Sequence, residues 1–311
     1  MNIGFKGKFQ VVKKQVLMDG DVPKLDANGC QIVVSEDLCA EFDNLITNSG
    51  LNRIGTGSAL DYCYLSSDNS EPSITDSSVL GFLASATVSS SADAGNSTTG
   101  DVYFSLSKTY SFGAGVGTGN ISKLGIGWNS GGNGLWSIQL IKDSEGNPTV
   151  ISKLDYEILE ITYILTTHID SVDYTGVVNI SGIDHDVIVR PSQISRWRTK
   201  EPDVLVASPY ECFFYTGDIT DIDSYPGGTV LGFSRSIARS YIDQSYEYKY
   251  IISADIATGN SPLGIKSIRI SANNINRISY QAQFDPPIMK TSEQTLKLPP
   301  FFITWGRYVS P

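Results

Sequence analysis

Alternation between hydrophobic and polar positions is the dominant pattern of this chain, and it predicts β-strands in both halves. A period of two places successive side chains on opposite faces of a strand. Clusters of Gly, Asn and Ser separate these runs, which is typical of β-sandwiches and open barrels. Helices do not alternate with the runs, so a parallel α/β sheet is disfavoured. The alternating runs are residues 1–16, 102–106, 157–165, 246–252, 268–270 and 301–305.

The segment after Ser35 departs from this pattern and predicts a helix. Ser35 can cap the helix, and Glu36 and Asp37 suit its positive end. Gly50 would terminate it. The apolar stripe of this predicted helix consists of Leu38, Phe42, Leu45 and Ile46.

Five short motifs recur in the same order in the two halves of the chain, which predicts an internal duplication. We therefore expect an all-β fold with one or two short helices, in two similar antiparallel β-sandwich-like domains. The predicted parts are an N-terminal strand or arm at 1–34, a first β domain with a leading short helix at 35–165, a connecting segment at 166–200 and a second, diverged β domain at 201–311. The recurring motifs begin at Tyr62 and Glu211, Leu80 and Leu231, Gly117 and Ala257, Leu124 and Leu263, and Leu154 and Leu296.

The charge of the chain narrows the set of partners. A formal net charge of −10 disfavours binding to nucleic-acid phosphates. No apolar run reaches the length of a membrane span and no secretory segment is evident, so we expect a protein made in a cytoplasm. The N-terminal arm is locally positive, which fits either a solvated strand face or docking on an acidic neighbour such as a second copy. Its basic residues are Lys6, Lys8, Lys13, Lys14 and Lys24.

Residue types that could carry catalysis are sparse and poorly arranged. The Gly-rich run at 112–120 fits neither a P-loop nor a dinucleotide fingerprint, and we predict a turn. Asp184, His185 and Asp186 predict an exposed hairpin turn, because neighbouring residues of a strand point to opposite faces. His168 has no evident nucleophile nearby, and four cysteines without a CxxC pair give no ordinary zinc motif.

Two further groups could bind a ligand. The loop at 216–228 contains Asp218, Asp221 and Asp223, which could supply oxygen ligands to Ca²⁺ although the EF-hand pattern is missing. The second group is the tyrosines at 246–250, which could stack on sugars, but sheet packing is the preferred interpretation. Separately, the composition of residues 88–100 predicts a mobile surface loop. No other cofactor is expected.

Three segments resemble tailed-bacteriophage virion proteins of the tail or tail-fibre-associated kind, mainly over residues 40–165. The resemblance implies a non-enzymatic, oligomeric virion component with no catalytic residues. The segments are FDNLITNSGLNRIG at 42–55, YSFGAGVGTGNISKLGIG at 110–127 and GNPTVISKLDYEILEITY at 146–163.

The expected function is therefore structural. The chain would assemble in the tail, tail tip or fibre-attachment region of a virion, after synthesis in the host bacterial cytoplasm. Its partners would be other virion proteins and copies of itself, bound partly by strand addition. Alternatives are a host receptor- or glycan-binding tail protein acting through loops 88–100 and 216–228, a capsid decoration protein, and a tailspike-type glycan hydrolase with paired carboxylates. The expected contact residues are Ile3, Phe5, Phe9, Val11, Phe301, Ile303, Trp305 and Tyr308.

Overall fold

The computed structural model describes residues 2–20, 22–97, 102–192, 209–272 and 279–309. These residues form a mostly-β protein with one short helix, built from a large mixed sheet and a smaller antiparallel sheet. This part of the chain contains no helix that is long and apolar enough to cross a membrane. The chain divides into two compact units. The first unit comprises Phe5–Asn96, Tyr103–His168 and Arg307–Pro311, and the second comprises Met1–Gly4, Ser97–Val102 and Ile169–Gly306.

The first unit contains the helix α1 (Asn48–Ile54) and most of the first thirteen strands. Its main sheet has the order β1–β13–β8–β7–β6–β10–β11–β5, with β4 also paired to β1. Two small sheets pair β9 with β12 and β2 with β3. The strands are β1 (Asn2–Val16), β2 (Met18–Asp19), β3 (Val22–Pro23), β4 (Val33–Asp43), β5 (Leu45–Ile46), β6 (Tyr62–Ser66), β7 (Phe82–Ser97), β8 (Val102–Phe112), β9 (Gly119–Ile121), β10 (Lys123–Gly127), β11 (Leu135–Leu140), β12 (Ile151–Lys153) and β13 (Ile158–Ile169).

The helix predicted directly after Ser35 is wrong, because that segment is the strand β4. It pairs antiparallel with β1, and this pairing places its carboxylates beside lysines: Lys8 Nζ lies 3.2 Å from Glu41 Oε2. The helix begins later, where Thr47 Oγ1 accepts the N–H of Gly50 at 2.9 Å. Gly50 therefore lies in the first turn of α1 rather than ending it, and a larger residue there would collide with the backbone of Trp136.

The alternation predicted in β1, β8 and β13 is confirmed, and it builds the core of the first unit. Phe5, Phe9 and Tyr163 are buried together with Trp136, whose indole N–H donates to the Tyr163 hydroxyl at 2.7 Å. The ring centroids of Phe9 and Tyr163 are 5.3 Å apart. Large aromatic rings thus fill the space that alternating strands enclose. The other buried positions predicted by alternation include Val102, Leu106, Leu159, Ile161 and Leu165.

The second unit contains a six-stranded antiparallel sheet of order β14–β15–β21–β20–β16–β17, together with the strands β18, β19 and β23 paired in that order. β22 pairs with β19. The strands are β14 (Tyr174–Ile180), β15 (Ile183–Ser192), β16 (Pro209–Tyr215), β17 (Val230–Ser234), β18 (Ser236–Tyr241), β19 (Glu247–Ala254), β20 (Ile265–Ala272), β21 (Ser279–Ile288), β22 (Leu296–Lys297) and β23 (Phe301–Arg307).

Both groups of strands contribute to one apolar cluster in the second unit, which confirms the alternation predicted near residues 250 and 268. Phe214, Ile268 and Phe284 of the six-stranded sheet are buried with Ile252 of β19 and Leu296 of β22. The tyrosines of β19 pack inside the unit, as the sheet-packing interpretation expected.

Two predicted loops have different outcomes. Residues 88–97 belong to β7 rather than to a loop, and Ser89 Oγ donates to the carbonyl oxygen of Thr109 at 2.8 Å. Small polar side chains on an exposed strand produced the loop-like composition. The remaining predicted loop positions at 98–100, and Trp197 in the expected connecting segment, lie outside the described residues. The loop at 216–228 is confirmed between β16 and β17.

Candidate assembly surfaces and pockets

Residues 17–34 form the outer part of the N-terminal arm that the sequence predicts at 1–34, and below the term arm is kept for residues 17–34 alone. This segment extends the hairpin of β1 and β4. Leu17 N donates to the Ile32 carbonyl oxygen at 2.8 Å, and Lys24 N donates to the Leu17 carbonyl oxygen at 2.8 Å. At the tip, Asp26 Oδ1 accepts the N–H groups of Asn28 and Cys30. Hydrogen bonds from Cys30 and Asn28 hold the pKa of Asp26 below its usual value. The arm is therefore an ordered hairpin within the described residues.

The arm exposes large apolar side chains. The exposed fraction is 66% for Val22 and 56% for Leu25. A contiguous exposed apolar patch is typical of a contact site, whereas single exposed apolar residues are common on protein surfaces. The exposed apolar residues of the arm are Met18, Val22, Leu25, Ile32, Val33 and Val34.

The positive charge at the N-terminus is largely matched within the chain itself. Lys6 Nζ lies 3.1 Å from Asp43 Oδ2, and Lys14 Nζ lies 2.6 Å from Glu160 Oε2. These two lysines therefore pair with carboxylates of β4 and β13 in the same chain. Their charge does not point to a separate acidic partner.

Lys13 contacts a buried glutamate. Its Nζ lies 3.2 Å from Glu157 Oε1, and Glu157 Oε2 accepts the N–H of Leu154 at 2.7 Å. Burial acts to raise the pKa of Glu157, but the Leu154 hydrogen bond and Lys13 outweigh it and leave that pKa below its usual value. This charge holds β1 against the start of β13.

The expected contact residues lie mainly in the core of this chain. Phe5, Phe9, Ile303 and Trp305 are buried, and so are Ile3 and Val11. A partner that docks on the folded chain does not reach these side chains, so their placement does not support the expected role. Alternation shows that a strand buries one face, but it does not show whether the covering layer belongs to the same chain.

The last two expected contact residues are half-buried. The ring of Tyr308 stacks on His168, with centroids 3.5 Å apart, and its N–H donates to the Phe5 carbonyl oxygen at 2.9 Å. Phe301 packs against Tyr280, with the two ring centroids 5.4 Å apart. His168 thus has a packing role, because it also contacts the tilted ring of Tyr103, with centroids 5.9 Å apart.

The other histidine is also structural. His185 lies in β15 next to the hairpin turn at Ser181 and Gly182, rather than in the exposed turn that was predicted. Its ring is buried, and Nδ1 lies 2.5 Å from the carbonyl oxygen of Pro286, so Nδ1 carries the proton. The Gly-rich run is a turn between β8 and β9, as predicted, and its Gly113 carbonyl oxygen accepts from Lys153 Nζ at 3.0 Å.

The loop at 216–228 is fastened to the six-stranded sheet. Gln281 Nε2 donates to the carbonyl oxygens of Thr220 and Asp221 at 3.0 and 2.9 Å, while Gln283 Oε1 accepts the N–H of Ile219. Arg190 Nη1 adds a bond to the Thr220 carbonyl oxygen at 2.9 Å. Buried amide side chains that bind backbone groups in this way keep a loop in one conformation.

The three aspartates of this loop do not converge. Asp221 Oδ1 accepts the N–H of Asp223 at 2.9 Å, and Asp218 Oδ1 lies 3.9 Å from Lys266 Nζ. Over the residues that the structure describes, no three His, Cys, Asp or Glu side chains are arranged to hold a metal ion. The three aspartates are therefore not arranged to share one ion.

Two of the pockets that the described residues form lie in the second unit, and the sequence did not reveal either. An apolar pocket of about 110 Å³ is bordered by Val178, Val187 and Val189 of the β14–β15 hairpin and by the segment Leu298–Phe301. A larger, open pocket of about 580 Å³ is lined by residues of two turns. Its lining residues are Asn260, Ser261, Pro262, Met289, Lys290, Thr291 and Gln294.

Lys290 is the charged group of the open pocket. Its Nζ donates to Asn260 Oδ1 at 2.8 Å and reaches the carbonyl oxygens of Ile256 and Thr291 at 3.4 Å. Burial lowers the pKa of this lysine. The ammonium group thus joins the two turns that form the pocket, and the pocket presents amide and hydroxyl groups rather than carboxylates.

Comparison with known protein families, curated proteins and solved structures gave no match to this chain. The candidate surfaces are therefore interpreted from their own geometry.

Proposed function

We propose that this protein is a structural component of a bacteriophage virion, in the tail, tail tip or fibre-attachment region, and that it acts by binding other proteins. The observation that carries the proposal is the arm, an ordered hairpin with six exposed apolar side chains. A preformed hairpin loses little conformational freedom when it binds, so its exposed side chains can contribute directly to affinity. The partners are other virion proteins and copies of the chain, met after synthesis in the host cytoplasm.

We also propose that the two halves arose by internal duplication of an antiparallel, sandwich-like β unit. The strand order supports this. The first half reads β13–β8–β7–β6–β10–β11, and the second reads β23–β19, then β18 with β17, then β16–β20–β21. The recurring cysteines Cys63 and Cys212 lie at the same place in these orders, in β6 and β16.

The open pocket favours one alternative, the host receptor- or glycan-binding protein. Amide and hydroxyl groups of Asn260, Ser261 and Gln294 beside the apolar Pro262 and Met289 suit a sugar ring. The tailspike-type hydrolase is less well supported by this pocket, because its lining includes no carboxylate pair. A glycan array with wild type and Asn260→Ala tests the alternative: saturable binding that the substitution abolishes would support it.

Imaging of purified virions tests the main proposal. A tagged copy of the chain should appear at the tail by electron microscopy, and Val22→Ser with Leu25→Ser should prevent its incorporation. The matched control is Val150→Ser with Leu154→Ser, which alters two other exposed apolar residues of the same unit, outside the arm. Label on the head shell alone would instead indicate capsid decoration. Normal incorporation of the arm variant would overturn the role of the arm.

A further inference from the structure

The edge strands of the longer sheets differ in how they are protected against pairing with another chain. An edge strand presents backbone N–H and C=O groups without a neighbour, and charge, proline, bulges or short length usually blunt it. β4 carries four carboxylates and β18 carries Arg239. β17 is short, and its pairing with β16 shifts register beside Tyr215.

β14 has none of these protections. Its seven residues include no charged residue and no proline, and its ladder with β15 runs without a shift from Tyr174 opposite Val189 to Ile180 opposite Ile183. Among the strands that the structure describes, β15 is its one neighbour. Val177, at the middle of β14, is 64% exposed.

The hairpin that carries β14 is held in a fixed shape. Ser181 and Gly182 both have positive φ, as a tight two-residue turn requires. Asn179 Nδ2 donates to Asp184 Oδ1 at 2.6 Å, and Asn179 Oδ1 accepts the N–H of Gly182 at 3.1 Å. The edge is therefore preorganised to receive a strand.

The apolar layer beneath the sheet also continues to this edge. Val178 of β14 packs against the buried cluster but is itself only half-buried, and it borders the apolar pocket of about 110 Å³. A core that ends in a half-buried valine and a partly open apolar pocket is incomplete at β14 and would be extended by a further strand.

We propose that β14 pairs antiparallel with β14 of a second copy of this chain, which joins two six-stranded sheets across a two-fold axis at Val177. Full overlap of the seven residues sets Tyr174 opposite Ile180 of the second copy. This is the self-complementary arrangement that closed dimers use. The pairing involves neither the arm nor the proposed place on a virion.

The charges around β14 are compatible with this arrangement. Asp173 precedes the strand and is bound by Arg190 Nη2 at 2.5 Å. In the antiparallel pair it lies beside the Ser181–Gly182 turn of the second copy, not beside its own equivalent. Like charges directly opposite each other would destabilise a strand pair, and β14 avoids them.

Sedimentation over a concentration series tests the proposal. The chain of 33.7 kDa should form a dimer of twice that mass. Val177→Lys sets two ammonium groups opposite each other and should weaken the dimer by at least about tenfold. The control is Val230→Lys at the exposed start of the edge strand β17, which should leave dimerisation unchanged. A wild type that stays monomeric, or a dimer that Val177→Lys does not weaken, would overturn the proposal.

Cross-linking tests the register independently. In a Cys30→Ser background, Val177→Cys should form a disulfide between two copies, because directly opposed residues of antiparallel strands bring Cα atoms within about 4.5–5.5 Å. Val230→Cys should not. A dimer of the Val177→Cys variant in which the introduced thiol stays reduced under oxidation would rule out the axis at Val177. Failure of the virion imaging would leave this outcome unaffected, so the two proposals are separable.

Discussion

Under the proposed duplication, the two halves of the chain have the same succession of strands but differ at one strand. In the first half, β7 is a single strand from Phe82 to Ser97 that pairs with β6. In the second half, the corresponding stretch is divided at Arg235 into β17, which pairs with β16, and β18, which pairs with β19. β17 lies in the six-stranded sheet with β16, whereas β18 lies in the larger sheet with β19. The strands that form one sheet in the first half are thus divided between two sheets in the second half.

The break at Arg235 coincides with a local contact and has a consequence for packing. Arg235 Nε and Nη2 both donate to Glu211 Oε1, at 3.0 and 2.8 Å, and its guanidinium lies over the ring of Phe233. Phe214 and Ile252, which lie in different sheets, then share one apolar cluster. Strands that form one continuous sheet in the first half therefore lie in two sheets in the second half, and the two sheets pack on a common apolar cluster.

The ends of the two successions also differ. β11 is followed in its sheet by the two-residue β5, and α1 packs on it, whereas β21 is followed by the whole β14–β15 hairpin. The first half thus closes its edge with a short strand and a helix. The second half replaces them with a longer, uncharged strand.

The largest expected effect comes from truncating matching core positions. Leu65 and Phe214 occupy equivalent places in the recurring motifs and are both buried. Leu65→Ala should lower the free energy of unfolding by about 2–5 kcal/mol and Phe214→Ala by about 3–5 kcal/mol, because each leaves a cavity. Urea unfolding measures the loss, and hydrogen exchange shows where it falls. Equal loss of protection in both halves from either variant would contradict two separate cores.

A smaller loss of stability is expected from removing the charge of the buried Glu157. This prediction applies to the first half alone, because the matching position of the second motif is Pro299. Glu157→Gln should cost about 2 kcal/mol, below the full value for a buried pair since Lys13 is partly exposed. The folded-state pKa of Glu157 lies below its ordinary value of 4.5, so its stabilising contribution is complete above that pH and is lost as the pH falls toward the folded-state pKa.

Urea unfolding of wild type and Glu157→Gln at pH 7 and at acidic pH measures this contribution. The difference between them should shrink on acidification. Glu160→Gln is the control, since Glu160 and its partner Lys14 are more exposed. A difference that is independent of pH would show that the Glu157 charge does not stabilise the fold.

The recurring cysteines should respond alike. Cys63→Ser and Cys212→Ser should each cost about 1–2 kcal/mol in urea unfolding, because both bury a hydroxyl group. Burial raises the pKa of both thiols, so alkylation of the folded protein should modify the exposed Cys30 first. Cys30→Ser is the control for stability. Rapid labelling of Cys212 but not Cys63 would break the equivalence of the halves.

The smallest effect is expected from the arm, which has no counterpart among the described residues of the second half. Replacing residues 18–31 by a short turn should change the free energy of unfolding by less than about 0.5 kcal/mol, because the arm buries little of its own surface. This change in the free energy of unfolding is measured by thermal unfolding monitored with circular dichroism. A large loss would show that the arm belongs to the folding unit.

Most of the strands could be predicted because their alternation is strong, as in β13 and β19. The helix prediction failed because the charges at Glu36 and Asp37 suit a helix start as well as a strand that faces lysines, and only the distant β1 decides between them. Local sequence does not report such a partner.

The candidate surfaces were predicted less well, for a related reason. The buried faces of β1 and β23 carry strong alternation, which drew attention to residues that the chain covers itself. The β14 edge has weak alternation, and its one sequence signal is the absence of charge and proline from Tyr174 to Ile180. The open pocket at Lys290 combines turns that are distant in sequence, so no local pattern announces it.

The bare backbone of β14 has a consequence for handling the protein. The seven residues of β14 include no charged residue and no proline, so this strand can pair with a strand of another molecule as readily as with β14 of a second copy. Concentrated or partly unfolded samples contain many such strands. Fibrillar by-products during expression or storage should therefore begin at this strip, and a lysine placed there should improve shelf life even where it abolishes assembly.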